Sequence, residues 1–281
     1  MKIIGGSASK MLASKLAEVT GAELVKTEFR RFPDGEGYAR ILGDLTDERV
    51  VLVQTTLPDP NIIELFLWQD AVNDFEIESL VTVAPYFGYG RQDKAFESGE
   101  AVSARAIAER LELFTDEVVT VDIHNPLVLS YFDKPVAHVS AAPAFARYLE
   151  GKVDLILSPD AGRAAMAEEV SEIIGCENDY LEKKRFDAET VEIKPKSLPV
   201  NGKGVAIVDD IISTGGTLGM ATKQLKEQGA EKIIALCTHG LFIGDAMDKL
   251  YNCDEVVSTD TVESEASKIS VAQEIADAIG G

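Results

Sequence analysis

Asp209 and Asp210 stand side by side after the apolar run 205–208, and Ser213, Thr214, Gly215, Gly216 and Thr217 follow within a few positions. Each residue type has a use there. Hydroxyls donate to anions, and paired glycines let backbone N–H groups close on a ligand. A helix beginning at the end of the loop adds the positive end of its dipole. Such a loop suits a phosphate group, and carboxylates just before it suit the hydroxyls of the sugar that carries the phosphate. The plainer alternative is that the glycines and hydroxyls only cap a helix. Two adjacent carboxylates weigh against it, because they are costly to desolvate at a strand end without a role. The segment reads as a site for a phosphorylated sugar.

Further segments carry chemistry. Phe32-Pro33-Asp34-Gly35-Glu36 is a turn by its Pro-Asp-Gly core. In residues 86–94, Arg91 suits a phosphate clamp, Gln92 suits hydrogen bonding to a base or sugar, and an aromatic suits stacking. A solvated charged loop is the alternative for that segment. Asp122 and His124 are two apart after an apolar run, a spacing that places both on one face of an extended strand. A lone histidine is nevertheless commonly structural. Asp160 follows another apolar run and suits a metal or phosphate site, or else a helix N-cap worth ~1 kcal/mol. Magnesium takes oxygen ligands, keeps several waters and bridges substrate phosphates. Lys183, Lys184 and Arg185 head the polar stretch 182–196, which reads as a mobile loop. Loop cations that close over a polyphosphate neutralise transition-state charge and exclude water.

The elements that must position these residues follow from hydrophobic periodicity. Short Val/Ile/Leu runs at 50–54, 80–85, 117–121, 153–157, 203–208, 232–237 and 255–258 predict strands. Amphipathic stretches at 62–75, 104–113, 164–174 and 218–228 predict helices. This alternation is the mark of βα units and parallel sheets. It occurs twice, which predicts an N-terminal α/β domain over 1–141 and a C-terminal one over 142–281, joined near residues 140–143. The segment 82–90 is expected to hold in the first half the place that the Asp209-Asp210 run holds in the second. Period-2 alternation over 29–42 predicts a projecting hairpin, and the last helix, about 268–279, is a candidate to return to the first domain.

Composition narrows the classes of function. The chain has 281 residues, 46% of them hydrophobic, enough for substantial cores. Its 27 Lys and Arg against 48 Asp and Glu leave a net charge of −21, which argues against a nucleic-acid partner. An anionic substrate must then be met by local cations or metal ions. The acidity also fits adaptation to a salty cytoplasm, or simply an acidic mesophilic protein. Cys176, Cys237 and Cys253 are too few and too scattered for a disulfide framework or a metal site, and read as buried thiols of a reducing compartment. No apolar run reaches the ~20 residues of a membrane span and no signal peptide is recognised. A cytoplasmic location with no membrane partner is the expectation.

Taken in order, these segments resemble the ribose-phosphate pyrophosphokinases (PRPP synthetases), and the 208–217 run is similar to the ribose-phosphate loop that this family shares with type I phosphoribosyltransferases. The resemblance spans essentially the whole chain: 32–36, 86–94, 121–124, 158–162, 183–185 and 208–217, with Thr238-His239-Gly240 as a weaker seventh motif. It implies two tandem type I phosphoribosyltransferase-like domains, each a central parallel sheet flanked by helices. It implies Mg2+ as cofactor, ATP and ribose 5-phosphate as substrates, and PRPP and AMP as products, in nucleotide biosynthesis. Phe32, Asp34, Gly35, Glu36, Arg91 and Gln92 match ATP-binding positions. His124 and Asp160 match metal positions, and Lys183 and Arg185 match the catalytic loop cations. Arg185, Asp209, Asp210, Ser213, Thr214, Gly215, Gly216 and Thr217 match the ribose 5-phosphate site. The family's hairpin reaches the adenine site of a neighbouring subunit, which implies a homodimer or higher homo-oligomer. Ser213 stands where the common bacterial and animal enzymes carry an acidic residue, and Gly215 where they carry a bulkier one. With the short chain, these departures make the sequence more similar to compact archaeal members. A phosphoribosyltransferase would need one such domain and no adenine hairpin. A silent regulatory homologue would be expected to have lost its loop cations or metal positions.

Overall fold

The computed structural model describes residues 1–185 and 191–280; for residues 183–185, 191 and 192 the description stops at the backbone. In chain order the elements are β1 (Lys2–Gly5), α1 (Lys10–Thr20), β2 (Glu23–Leu24), β3 (Thr27–Arg31), β4 (Gly37–Ile41), β5 (Arg49–Val53), α2 (Pro60–Asn73), β6 (Ser79–Ala84), α3 (Ser103–Leu111), β7 (Glu117–Val121), β8 (Val136–Val139), α4 (Ala142–Leu149), β9 (Leu155–Ser158), α5 (Ala164–Ile174), β10 (Glu177–Arg185), β11 (Val191–Pro195), β12 (Gly204–Ile212), α6 (Gly216–Glu227), β13 (Lys232–Gly240), α7 (Ala246–Lys249), β14 (Glu255–Thr259), β15 (Ser267–Ile269) and α8 (Ala272–Ile279). The chain forms two compact units. The first holds Met1–Ser140, Asp260–Glu263 and Ser270–Gly281; the second holds Ala141–Thr259 and Ser264–Ile269.

In the first unit a parallel sheet has the order β2-β1-β5-β6-β7-β8. Its inner strands β5, β6 and β7 are Val/Leu-rich and almost wholly buried, as parallel strands covered by helices must be, while the edge strand β2 is exposed. One core cluster joins Leu52, Leu65, Trp68, Val72, Leu80, Leu111 and Val118. The hairpin β3–β4 is antiparallel, and Phe29 at its root lies 6.1 Å from the Trp68 ring on α2. The returning helix α8 packs on α1, with Ile275 and Ile279 buried. Asp260 holds this return: its carboxylate, fully buried, meets Lys15 at 2.9 Å and accepts the Val271 amide at 3.1 Å. Glu263 accepts the Met11 amide at 2.6 Å, in the first turn of α1.

In the second unit the order is β11-β10-β9-β12-β13-β14-β15, parallel except for the antiparallel β10–β11 pair. Its core gathers Leu155, Leu157, Val205, Ile207, Leu225, Ile233 and Ala235. Helices α1 and α5 end on Gly21 and Gly175, both at positive φ, where a left-handed cap favours glycine.

The two connectivities are the same. In each unit the first strand (β1, β9) lies between the second (β2, β10) and the next strand of the sheet (β5, β12); the second unit adds β11 outside β10, whereas the first unit has the separate hairpin β3–β4 after β2. This corrects the expected correspondence. The second-unit strand β12 matches β5, not β6, so the counterpart of the Asp209-Asp210 loop is the segment after β5, and residues 85–94 match the end of β13. Of the stretch 182–196, expected as a loop, residues 182–185 and 191–195 instead pair as the β10–β11 ribbon, and residues 186–190 lie outside the described residues. Of the cysteines, Cys237 is buried while Cys176 and Cys253 are partly exposed. Burial pushes the Cys253 thiol up to about 11, and Cys237 further up. Among the described residues no helix is long and apolar enough to cross a membrane.

Candidate active site

The carboxylates of the second unit lie inside β12 rather than beyond it. Asp209 is in register with Cys237, and the strand continues to Ile212 opposite Gly240. Asp210 is buried and Asp209 partly exposed. The Asp210 amide donates to Asp209 Oδ1 at 2.9 Å, and Arg163 Nη2 lies 2.7 Å from Asp210 Oδ2. Burial, and then the charge of Asp210, push the Asp209 carboxyl well above the ordinary carboxylate range; Arg163 opposes that shift.

The loop after β12 places its glycines and hydroxyls at a strand-to-helix junction. Gly215 adopts φ +69° as the cap of α6, and a Cβ there would come 2.8 Å from the Ala246 carbonyl oxygen. Both the backbone angle and the close approach demand glycine. The segment leading into α7 backs the loop: the Ile243 amide donates to the Ser213 carbonyl at 2.9 Å, and Lys249 Nζ reaches the Thr214 carbonyl at 3.4 Å. Thr214 and Thr217 are exposed and Ser213 half-buried. The first amides of a helix lack intrahelical acceptors, so Gly216 and Thr217 at the start of α6 present N–H groups beside these hydroxyls.

Asp160 ends the β9 turn, where its Oδ1 accepts the Gly162 amide at 2.8 Å and caps the short turn Ala161–Arg163. The helix-cap reading therefore holds at that oxygen. Lys183 and Arg185 lie on β10, in register with Ile193 and Val191. Their side chains lie outside the described residues.

In the first unit the loop after β6 is held by side chains that the sequence did not single out. Thr56 Oγ1 accepts the Gly88 amide at 2.6 Å, and the Thr56 amide donates to the Tyr86 carbonyl at 3.1 Å. Asn125 donates to Asp93, and Tyr131 donates to the Asp93 carbonyl at 2.6 Å. Arg91 is exposed, Gln92 half-buried with its amide on the Lys94 carbonyl, and the backbone at Gly90 sits against His124. Loop 86–94 and His124 thus come together. The face-sharing expected for Asp122 and His124 does not apply, because β7 ends at Val121 and Asp122 turns the chain at φ +37°. In the hairpin, residues 31–36 are exposed. Asp34 Oδ1 accepts the Glu36 amide, Gly35 has φ +95°, and Arg30 stacks over both Phe32 and Tyr38.

The counterpart loop of the first unit is filled by its own side chains. By register Gln54 and Thr55 stand where Asp209 and Asp210 stand in β12. Gln54 Oε1 takes the Ala8 amide at 3.2 Å, and Glu64 takes the Ser7 amide at 2.7 Å. Only the second unit keeps the loop chemistry suited to a sugar phosphate.

No three His, Cys, Asp or Glu side chains cluster as a metal cage among the described residues. His124 belongs to the first unit and Asp160 to the second. The donor set fits Mg2+ only in the mode where one or two protein ligands are completed by water and substrate phosphate oxygens.

Fold and loop together define a tandem pair of type I phosphoribosyltransferase-like units. Residues 1–114 match the N-terminal domain of ribose phosphate pyrophosphokinase, and residues 135–273 match the phosphoribosyl transferase domain. The chain is 40% identical to a ribose-phosphate pyrophosphokinase of Methanopyrus kandleri, over 99% of this chain and 98% of that protein. It is 42% identical to the one from Methanothermobacter thermautotrophicus, over 98% of each. Among solved structures it is similar to the phosphoribosylpyrophosphate synthetase of Mycobacterium smegmatis, with a TM-score of 0.84 and 27% identity over 99% of this chain and 97% of that one. The chain belongs to the ribose-phosphate pyrophosphokinase family.

Proposed function

We propose that the protein transfers the β,γ-pyrophosphoryl group of Mg-ATP to the C1 hydroxyl of D-ribose 5-phosphate, giving PRPP and AMP for nucleotide biosynthesis. The observation that carries this reading is the β12–α6 loop of a chain in this family: glycine where no side chain fits, hydroxyls and helix-start amides for a phosphate, and Asp209 beside them. Ser213, Thr214, Gly215, Gly216 and Thr217 hold the 5-phosphate, and Asp209 accepts hydrogen bonds from the ribose hydroxyls, with Asp210 beside it. Arg91 and Gln92, with Phe32, Asp34, Gly35 and Glu36 of the hairpin, bind ATP. The exposed hairpin tip supports the reading that it serves a neighbouring subunit of a homodimer or larger homo-oligomer. His124 and Asp160 would hold magnesium, which when bound neutralises polyphosphate charge. The reaction is an in-line displacement at the β-phosphorus, so positioning and charge neutralisation supply most of the acceleration. Lys183 and Arg185 neutralise the transferring group, and Arg185 also meets the sugar phosphate. The cytoplasm, where both substrates occur, is the proposed location.

Incubation with ATP, magnesium and ribose 5-phosphate, followed by AMP measurement, tests the reaction; absence of AMP across salt and phosphate conditions would overturn it. Lys183→Ala is expected to lower kcat by roughly 10²–10⁴-fold, as loss of a transition-state charge partner does. A change below about threefold would remove Lys183 from that role.

A further inference from the structure

Arg163 has no part in the reaction as described so far. It ends the turn Ala161–Arg163 after β9, and its guanidinium reaches across to Asp210 on β12 at 2.7 Å. β9 and β12 are adjacent parallel strands, so the pair joins the C-terminal ends of two neighbouring strands at the mouth of the sugar-phosphate loop. The Asp210 side chain is 5% exposed and that of Arg163 24%. The Asp209 and Asp210 carboxylates lie close enough to interact directly, so like charge crowds the place where a ligand hydroxyl would be met. Asp160, Asp209 and Asp210 also gather negative charge at these strand ends, the wrong sign for a ligand that arrives with its own phosphate. A guanidinium answers both problems, because it is always charged and its planar fork matches a carboxylate.

Resting on the proposed ribose 5-phosphate site, we infer that Arg163 is a positioning residue for that substrate: pairing with Asp210 engages this carboxylate, leaves Asp209 as the acceptor of the ribose hydroxyls, and offsets the negative charge met by the 5-phosphate. The assignment separates two carboxylates that are adjacent in sequence. Asp209 touches the sugar, and Asp210 acts through its cation.

The full-length protein, Arg163→Met, Arg163→Lys, Asp210→Asn and the R163M/D210N double variant test this. Calorimetry reads ribose 5-phosphate binding without ATP, and AMP release reads kcat and the KM of each substrate. R163M is expected to weaken ribose 5-phosphate binding about tenfold and raise its KM in step, with the KM for ATP unchanged; one decade corresponds to a modest loss of polar interaction. R163K should recover most of the loss. In the Asp210→Asn background, removal of Arg163 should cost less than about threefold, because no misplaced carboxylate remains. Wild-type binding by R163M, or an equal loss with and without Asp210, would overturn the inference. Should R163M fail to fold, Arg163→Gln takes its place with the same two outcomes. A wild-type protein that binds ribose 5-phosphate but forms no AMP counts against the transfer reaction alone, and the binding series still decides on Arg163. A wild-type protein that binds no ribose 5-phosphate overturns both.

Discussion

Asp209 is held as a carboxylate at a cost to the fold. Burial, and then the neighbouring Asp210, raise its carboxyl well above the ordinary range, so the folded protein takes up a proton there more readily than the unfolded chain. Between the unfolded carboxyl value of ~3.9 and the raised folded value, the native state binds more protons, so stability falls as pH rises through that window. Asp209→Asn should therefore raise the melting temperature at neutral pH. The gain should vanish as pH drops below ~4, where Asp209 is protonated in both states. Thermal scans from pH 3.5 to 8 check this, and a gain independent of pH would refute it. AMP formation should fall in the same variant, the usual trade between stability and a strained functional site. Gly215 makes the opposite point. Its φ of +69° and the 2.8 Å approach to the Ala246 carbonyl leave no space for a methyl group. Gly215→Ala should cost roughly 1–3 kcal/mol in urea unfolding and raise the KM for ribose 5-phosphate by disturbing the loop.

At the scale of elements, each unit has an antiparallel strand pair early in its chain, β3–β4 after β2 in the first and β10–β11 in the second. The β3–β4 hairpin is anchored by Phe29 on Trp68 and leaves residues 31–36 exposed. Phe32 adds little to stability there, since its contacts are an edge-on Tyr38 and the stacked Arg30. Phe32→Ala should change unfolding free energy by no more than about 1 kcal/mol, the scale of an exposed cation–π contact. It should raise the KM for ATP while that for ribose 5-phosphate stays put. A parallel rise in both constants would show that the hairpin acts through the fold and not through ATP. The β10–β11 ribbon instead carries Lys183 and Arg185, the cations proposed to neutralise the transferring group.

At the scale of the whole molecule, the first unit is completed by the end of the chain. Ala272, Ile275 and Ile279 of α8 are buried, in a helix packed on α1, and Asp260 ties the return to Lys15. Two buried isoleucines contribute about 1.5–3 kcal/mol each, against a net stability of about 5–15 kcal/mol for a typical protein. Deleting residues 270–281 should accordingly lower the melting temperature by ten degrees or more, and calorimetry should show the loss in one transition while another persists. An unchanged profile would mean that α8 contributes nothing to the first unit.

The sequence by itself determined the βα alternation, the hairpin over 29–42 and the glycine- and hydroxyl-rich loop between β12 and α6. Those features rest on local chemistry: strands of both-face burial read as apolar runs, Pro-Asp-Gly turns, and glycines and hydroxyls at a strand-to-helix junction. Helix 164–174 was legible to the residue for the same reason. Other features depended on which strands lie side by side, and no periodicity encodes sheet order. Hence residues 82–90 stood in for the segment after β5, and residues 182–185 and 191–195 read as loop because these polar strands pair at a sheet edge. The partners that position the site, Thr56 for Gly88, Asn125 and Tyr131 for Asp93, and Arg163 for Asp210, come from separate strand ends. Residue types can nominate a carboxylate such as Asp209 or Asp210, but only tertiary structure decides that Asp210 is the one paired with Arg163, because that cation comes from a neighbouring strand end.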